Sequence, residues 1–290
     1  MNANAIEIRG LEKHFRKFTL GPLDATVPRG AIYGLIGPNG AGKTTTIDLA
    51  LGLGREDAGS IKVLDLDHRR DEVAMKRQVG YASPEVSWLA WGKVGKAIQF
   101  VRGFYPTWDD AYCLRLLDSL HVGLGERIAT LSFGARIKFG LILALAWRPK
   151  LLLLDEPLIG LDAVSKHQVF SELLAAVQSE DRAVVISSHN LSDLERFADH
   201  IGMIKNGKML LEGPTAEIVE RFRWVDFVAE NGADFSAEPG LLIRRRNQRH
   251  WQALADTSKC SLDDISSRGA RQLNATPVTL EDLFVALAQE

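Results

Sequence analysis

Cysteine is scarce in this sequence, which excludes two common ways of stabilising a fold. Cys113 and Cys260 are the only two cysteines among 290 residues. They lie far apart in the chain and lack the close spacing of zinc ligands, so neither a disulfide framework nor a zinc site is expected. A reducing cytoplasm suits this composition best.

Long hydrophobic runs are also missing. The longest apolar stretch, Leu141 to Trp147, ends at Arg148 and falls far short of the roughly 18 residues that a membrane-spanning helix requires. The segment Met1 to Gly10 carries Glu7 and Arg9 and has no apolar centre, which argues against a secretory signal. We therefore expect that this chain does not cross a membrane.

The sequence also lacks an excess of positive or negative charge. The 35 Lys and Arg residues nearly balance the 37 Asp and Glu residues, and the net charge is -2. Because nucleic-acid binding normally needs a basic excess, DNA or RNA is disfavoured as the main partner. Hydrophobic residues make up 46% of the chain and charged residues 25%. These values are typical of a folded globular protein, and the length suffices for about two domains.

The order of the predicted elements indicates an α/β fold. An apolar run at residues 31–36 predicts a buried strand, which a glycine-rich turn joins to a helix at residues 44–53. Residues 151–154 and 183–186 are apolar throughout, as in central parallel strands that are covered on both faces. The helical spacing at residues 164–178 joins these two strands in a βαβ unit.

The rest of the chain predicts an insertion, a hairpin and a second domain. Residues from about 85 to 130 have helical character, and Thr107 with Asp110 has the spacing of an N-terminal helix cap. Asn206-Gly207 lies between two short apolar runs and predicts a β-hairpin. We expect one domain at residues 1–220. A C-terminal accessory domain of mixed short strands and a final helix should follow at residues 221–290.

The glycine-rich turn matches the phosphate-binding loop G-x-x-x-x-G-K-[ST]. It consists of Gly37, Pro38, Asn39, Gly40, Ala41, Gly42, Lys43 and Thr44. Glycines allow successive backbone N–H groups to face phosphate oxygens, Lys43 adds a positive charge at the β- and γ-phosphates, and the Thr44 hydroxyl can bind Mg²⁺. Thr45, at the start of the following helix, is included among the predicted nucleotide contacts.

A second motif supplies the acids that such a loop requires. The apolar strand Leu151 to Leu154 ends in Asp155 and Glu156. The buried strand would deliver Asp155 to the metal ion, and Glu156 could orient or deprotonate the attacking water. Together, the loop and the acidic strand predict a nucleotide hydrolase.

With these motifs in this order, the sequence resembles an ABC-type ATPase over about residues 5–220. Leu131-Ser132-Phe133-Gly134-Ala135 lies at the position of the family signature L-S-G-G-Q, just before the acidic strand. Gly160-Leu161-Asp162 matches the family's D-loop, and Ser188-His189 matches its switch histidine. Phe15 lies where the family stacks an aromatic side chain on adenine.

The resemblance implies a fold and an assembly. The fold is a P-loop ABC-type nucleotide-binding domain with a mostly parallel core sheet, an antiparallel β subdomain and a helical subdomain, followed here by a small C-terminal α+β extension. The assembly is a head-to-tail dimer with a second copy of the chain or a related ATPase chain. Each ATP would lie between the loop of one subunit and Ser132 and Gly134 of the other.

Specific roles follow from the same resemblance. Lys43, Glu156 and His189 would be the catalytic residues, and Asp162 would belong to the nucleotide site. Thr44 and Asp155 would bind Mg²⁺. The family glutamine that follows a Gly-Tyr strand is missing after Tyr81, and we assign its metal-facing role to Glu85.

Two departures in the signature bear on turnover. Phe133 replaces the first glycine of the G-G pair, and Ala135 replaces the glutamine. A side chain at residue 133 would limit how closely the backbone can approach a phosphate. An ATP-binding protein that scarcely hydrolyses its nucleotide, acting as a sensor, therefore remains an alternative.

The favoured function is the ATP-hydrolysing subunit of an ABC transporter whose integral membrane permease is a separate chain. It would lie on the cytoplasmic side of the cell membrane and bind there through the permease. The C-terminal run Thr279 to Phe284 resembles the tail of ATPases from bacterial ABC-2 type exporters, which favours export. A soluble ABC ATPase of DNA repair or translation is the other alternative, although such proteins typically have a long coiled coil or two nucleotide domains in one chain.

Aromatic residues are concentrated in the predicted helical insertion. Phe100 and Phe104 have the i,i+4 spacing of a buried helix face, so core packing is expected for them. Trp88 and Trp91 follow the turn that lacks the glutamine, where the resemblance places a groove for a helix of the permease. We therefore expect these two tryptophans at that interface.

Overall fold

The computed structural model describes residues 4–180, 182–230 and 233–288. The chain forms two compact units. The first comprises the residues up to Asn190 together with Phe197–Glu212, and the second comprises Leu191–Arg196 together with the residues from Gly213 onward. The accessory domain that the sequence places at residues 221–290 stays a prediction.

Fourteen strands and ten helices are found in the described residues. The strands are β1 (Asn4–His14), β2 (Thr19–Pro28), β3 (Ile32–Ile36), β4 (Ala58–Val63), β5 (Leu66–Asp67), β6 (Val79–Ala82), β7 (Leu151–Asp155), β8 (Ala183–Ser188), β9 (His200–Lys205), β10 (Lys208–Pro214), β11 (Phe222–Ala229), β12 (Leu241–Asn247), β13 (His250–Asp256) and β14 (Ala270–Pro277). The helices are α1 (Lys43–Ala50), α2 (Glu72–Lys76), α3 (Val94–Arg102), α4 (Asp110–Ser119), α5 (Phe133–Leu145), α6 (Ala163–Glu180), α7 (Leu191–Leu194), α8 (Thr215–Arg221), α9 (Leu262–Ser267) and α10 (Leu280–Leu287). No helix in the described part of the chain combines the length and the apolar content that a bilayer crossing requires.

The first unit is built on two sheets. Its six-stranded sheet has the order β10-β9-β3-β8-β7-β6, and its four-stranded sheet has the order β2-β1-β4-β5. In the larger sheet β6, β7, β8, β3 and β9 pair in parallel, whereas the smaller sheet is antiparallel. This is the predicted α/β architecture of a mostly parallel core sheet with an antiparallel β subdomain.

The core lies where the two sheets and α1 meet. Ile8, Leu23 and Ile61 of the antiparallel sheet belong to one buried cluster with Leu153 and Val185 of the parallel sheet. Every residue of β3 and β7 is buried, which confirms that these apolar runs are central strands. Because the strands are parallel, their carboxyl ends lie at one edge of the sheet, where the candidate site lies.

The helical insertion differs in detail from its prediction. It contains α3 and α4 and the short 3₁₀ turns Leu89–Trp91 and Ile128–Thr130. The expected cap of α4 at Thr107 is wrong. Asp109 caps the helix by accepting a hydrogen bond from the Tyr112 N–H, because the Thr107 hydroxyl donates instead to the Trp147 carbonyl.

The core assignment of Phe100 and Phe104 is also wrong. Their side chains are 41% and 65% exposed, because α3 buries its other face through Val94, Ala97 and Ile98. The two rings instead pack edge to face on the protein surface, with centroids 4.9 Å apart.

The second unit contains a four-stranded antiparallel sheet of order β12-β13-β11-β14. Phe227, Phe235 and Trp251 are central to its core. The sequence predicts strands at Trp224 to Val228 and Leu241 to Arg244 and a helix from Leu280 to Ala288, which correspond to β11, β12 and α10. It does not reveal β13 or β14. The residues of β14, ARQLNATP, have weak strand propensity, and the pairing of β14 with β11 determines its conformation.

Candidate nucleotide-binding site

The phosphate-binding loop connects β3 to α1, as the sequence predicts. A side chain at Gly37 would lie 2.2 Å from the Ile204 carbonyl oxygen, so the close approach of two backbones requires glycine there. Gly42 has a φ of 111° immediately before α1, which only glycine adopts without strain. The first N–H groups of α1 have no acceptor within their own helix, and together with the helix dipole they favour an anion at this end.

Lys43 lies folded over this loop with its side chain 6% exposed. Its ammonium group donates to the Gly37 carbonyl at 2.8 Å and to the Pro38 carbonyl at 3.3 Å. The same Nζ lies 3.2 Å from Glu156 Oε1. The positive charge predicted to meet the phosphates is therefore held between the loop and the predicted catalytic acid.

Thr44 and Asp155 meet at the end of the acidic strand. The Thr44 hydroxyl donates to Asp155 Oδ2 at 2.8 Å, although the two residues are 111 positions apart in the chain. Asp155 is 4% exposed. The structure thus brings together the two predicted metal ligands of the loop and the acidic strand.

Glu156 and His189 form the next contact along the edge of the sheet. His189 Nδ1 lies 2.9 Å from Glu156 Oε2, while Glu156 Oε1 faces Lys43. Glu156 has a φ of 47°, in the left-handed region that non-glycine residues rarely adopt and that is enriched at functional sites. The carboxylate is therefore held between two groups that can donate hydrogen bonds.

Ser187 is a residue of this site that sequence reasoning missed. Its hydroxyl donates to Asp155 Oδ1 at 2.5 Å and accepts the Glu156 N–H at 2.9 Å. The available signal was the polar pair Ser187-Ser188 at the carboxyl end of an otherwise apolar strand, because such ends meet at the ligand-binding edge of a parallel sheet.

Glu85 lies on the exposed turn after β6, where its backbone N–H donates to the Ser83 hydroxyl. Burial raises the pKa of Asp48, on α1, and the negative charges of Asp155 and Glu85 raise it further. Asp155 and Glu85 therefore both lie close enough to Asp48 to act on its carboxyl electrostatically. The assignment of Glu85 as a metal ligand stays a prediction.

Phe15 follows β1 and is 49% exposed. Its ring centroid lies 6.2 Å from that of Phe18, and Lys13 Nζ lies 5.9 Å from the Phe15 centroid. Phe18 in turn lies against Gly42, since a Cβ at Gly42 would be 3.1 Å from the Phe18 ring. Phe15 is thus an exposed aromatic surface connected through Phe18 to the phosphate-binding loop.

The signature residues surround the start of α5. Ser132 is the N-cap, and its hydroxyl accepts the Ala135 N–H. Gly134 lies against Leu161 and Gly160 of the predicted D-loop. Phe133 is 45% exposed, and its ring covers Gly160, where an added Cβ would be 2.6 Å from the ring.

Asp162 follows this contact and immediately precedes α6. Its carboxylate accepts the Ser165 N–H at 2.8 Å and the Ser165 hydroxyl at 3.1 Å. Both hydrogen bonds lower the pKa of the Asp162 carboxyl, and the bond from the Ser165 N–H has the larger effect. This capping role accounts for the conformation of Asp162, and its nucleotide contact stays a prediction.

Comparison with known proteins gives a family and a set of full-length relatives. The family model described as ABC transporter matches residues 20–159. The Nod factor export ATP-binding protein I of Burkholderia lata is 30% identical over 97% of this chain and 96% of its own length. The daunorubicin/doxorubicin resistance ATP-binding protein DrrA of Streptomyces peucetius is 29% identical over 98% and 92%. ABC transporter ATP-binding protein YtrB of Bacillus subtilis is 28% identical over 97% of both chains.

Solved structures show the same fold. An ATP-binding subunit of an ABC transporter superposes with a TM-score of 0.67 at 25% identity, covering 75% of this chain and 92% of that one. MJ1267, an ATP-binding cassette of an ABC transporter in its ADP conformation, gives a TM-score of 0.64 at 20% identity, over 76% and 96%.

Lys43→Ala is expected to weaken ATP binding by about 10- to 100-fold, since a hydrogen bond to a charged group contributes about 1.5–3 kcal/mol. Titration with a fluorescent ATP analogue measures the affinity. Lys62→Ala, at an exposed position on β4, is the matched control and should bind like the wild type. An unchanged affinity in Lys43→Ala would count against the assignment of the loop.

Proposed function

The chain belongs to the family of ABC transporter ATP-binding proteins, which are ATPases, and from that premise we propose that it hydrolyses ATP to drive export through a separate integral membrane permease. The observation that carries the proposal is a set of contacts among five motif residues at one edge of the parallel sheet. Lys43 meets Glu156, Glu156 meets His189, and Thr44 meets Asp155.

Glu156 is the proposed general base. A phosphate bound at the loop would compete with Glu156 for the ammonium group of Lys43, because both are anions. Glu156 would then keep His189 as its partner and could accept a proton from the attacking water. His189, which is partly exposed, would orient that water or the γ-phosphate.

Mg²⁺ is the proposed metal cofactor, and the donors at the site fit it. The Thr44 hydroxyl and Asp155 Oδ2 are two oxygen atoms 2.8 Å apart, and Mg²⁺ prefers oxygen ligands, usually one or two from the protein with the rest from phosphates and water. Among the described residues, no group of three His, Cys, Asp or Glu side chains could hold a metal ion by itself. The metal would help to neutralise the charge that develops on the phosphates.

Export is supported by the relatives. The Nod factor export protein and the drug-resistance protein DrrA each match nearly the whole of this chain, including its C-terminal region. We propose that this chain likewise acts at the cytoplasmic face of the cell membrane by binding a permease. The substrate path would lie in the permease.

A dimer with a second copy or a related ATPase chain is proposed because the signature begins a helix. Ser132 caps α5, a helix of 13 residues, whose N-terminus can bind an anion. Facing the loop of another subunit, Ser132 and Gly134 would complete the nucleotide site. ATP would then hold the dimer together, and hydrolysis would release it.

The surface proposed for the permease lies on the helical insertion. Trp88 is half-buried and lines two neighbouring cavities of about 180 and 360 Å³. Its ring packs edge to face with that of Phe139, and the two ring centroids lie 6.4 Å apart. Trp91 stacks on the exposed Phe100 with centroids 3.7 Å apart. Half-exposed aromatic side chains beside cavities are typical anchors for a partner helix.

Glu156→Gln is expected to abolish hydrolysis while preserving ATP binding, because the amide keeps the shape of the side chain but cannot accept a proton. Phosphate release measures turnover, and size-exclusion chromatography with ATP should detect an accumulated dimer. Glu217→Gln, at an exposed position of α8, is the control. Near-normal turnover in Glu156→Gln would falsify its role as the base.

Phe133→Gly is expected to raise ATPase activity or ATP-driven dimerisation, because glycine permits closer approach of the signature backbone to a phosphate. The exposed Phe104→Gly is the control for loss of a surface ring. An equal or lower rate with an intact fold would mean that the site is adapted to Phe133. Binding without turnover in both wild type and Phe133→Gly would identify the protein as a nucleotide sensor.

Trp88→Ala or Trp91→Ala is expected to weaken assembly with the permease, or to uncouple ATPase activity from transport, with little change in melting temperature. A buried tryptophan truncated to alanine would instead cost about 3–5 kcal/mol. Co-purification with the permease and thermal melting separate the two cases, with the half-buried Trp224→Ala of β11 as control. A large loss of melting temperature in both variants, with permease binding intact, would contradict the assignment of these tryptophans to the interface.

A further inference from the structure

The Ser187 hydroxyl connects the two acids of the site. It donates its only proton to Asp155 Oδ1 at 2.5 Å and accepts the Glu156 N–H at 2.9 Å. The directions of both bonds are fixed, because an ionised carboxylate can only accept and a backbone N–H can only donate. The Ser187 hydroxyl therefore links Asp155 to the backbone of Glu156 through one donated and one accepted hydrogen bond.

The pairing of β7 with β8 holds Ser187 in this position. In the parallel register Asp155 lies opposite Ser187, and paired residues of neighbouring strands project from the same face of a sheet. Ser187 is 0% exposed, so no solvent competes for its hydrogen bonds. The four residues of β8 that precede Ser187 are Ala, Val, Val and Ile, so the polar side chains of the strand lie at its carboxyl end, beside the acids.

Both partners need such support. Asp155 is 4% exposed, and a buried carboxylate is costly unless hydrogen bonds satisfy it. Thr44 bonds to Oδ2 and Ser187 bonds to Oδ1, so the two contacts fix the rotation of the carboxylate. Glu156 has left-handed backbone geometry, and its N–H bonds to the Ser187 hydroxyl.

We propose that Ser187 is a positioning residue for the hydrolysis reaction. It holds Asp155 with Oδ2 toward Thr44, where Mg²⁺ would bind, and it holds the Glu156 peptide so that the Glu156 carboxylate lies between Lys43 and His189. The role rests on the proposed function, since it concerns the same site. Ser187 itself need not touch nucleotide or metal.

Ser188 is the matched control within the chain. It is the next residue of β8 and is also buried, at 3% exposed. Its hydroxyl accepts the Asn190 N–H at 3.0 Å and lies 3.2 Å from the Asn190 carbonyl, and neither contact involves an acid of the site. Loss of a buried serine hydroxyl from β8 can therefore be separated from loss of support for the acids.

The test compares wild type with Ser187→Ala, Ser187→Thr, Ser187→Val and Ser188→Ala. Threonine and valine have nearly the same shape, so that pair isolates the hydroxyl even if Ser187→Ala does not fold. The measurements are kcat, the KM for ATP, the Mg²⁺ concentration for half-maximal activity, and Mn²⁺ binding by electron paramagnetic resonance with ADP present. The last does not depend on turnover.

Ser187→Ala and Ser187→Val should lower kcat or metal affinity by about 10- to 100-fold, as is usual when support for a metal ligand is removed. Nucleotide affinity without a divalent ion should change little, because Lys43 and the loop are intact. Ser187→Thr should restore activity and Mn²⁺ binding, and Ser188→Ala, which leaves the contacts of Asp155 intact, should bind Mn²⁺ like the wild type.

Three outcomes would overturn the inference. One is normal kcat and Mn²⁺ binding in Ser187→Val. Another is an equal loss in Ser187→Thr and Ser187→Val, and the third is an equal loss of Mn²⁺ affinity in Ser188→Ala, since both would indicate a general effect on the strand. Absence of turnover in the wild type would overturn the proposed function instead, and Mn²⁺ binding would still decide whether Ser187 positions Asp155.

Discussion

Parallel pairing of β7 with β8 is the constraint on which the candidate site depends. It places Asp155 opposite Ser187, with Glu156 and His189 just beyond the strand ends. β3 pairs with the other side of β8 and brings the phosphate-binding loop to the same edge. Thr44 and Asp155, which are 111 positions apart in the chain, therefore contact each other. A shift of one residue in this register would turn Asp155 and Ser187 to opposite faces.

The second condition for the site is that each buried charged group has an ion-pair or hydrogen-bond partner. Lys43, Glu156 and Asp155 are all largely buried, and an unpaired buried charge would be strongly destabilising. The loop carbonyls and Glu156 satisfy Lys43, whereas two hydroxyls satisfy Asp155. The same contacts that stabilise these charges also orient them, so stability and chemical competence depend on one network.

Motifs of local sequence were recognisable because each has a strict backbone or charge requirement. The loop needs glycine where Gly37 meets another backbone and where Gly42 has positive φ, and β7 needs a continuous apolar run before its acids. Ser187 escaped notice because its role depends on a neighbour 32 positions away. The cap at Asp109 and the exposure of Phe100 were missed for a similar reason, since Trp147 and the buried face of α3 decide them.

The sequence by itself determined the α/β class, the phosphate-binding loop, the acidic strand and the resemblance to ABC-type ATPases. These features follow from local periodicity, glycine conformations and motif order, all of which can be read from residues close together in the sequence. The tertiary structure alone decided that Lys43 pairs with Glu156 and that the Phe133 ring covers Gly160. It also decided that β14 forms by pairing with β11. Such contacts join distant segments, and their energies come from burial and from strand partners that no short stretch of sequence contains.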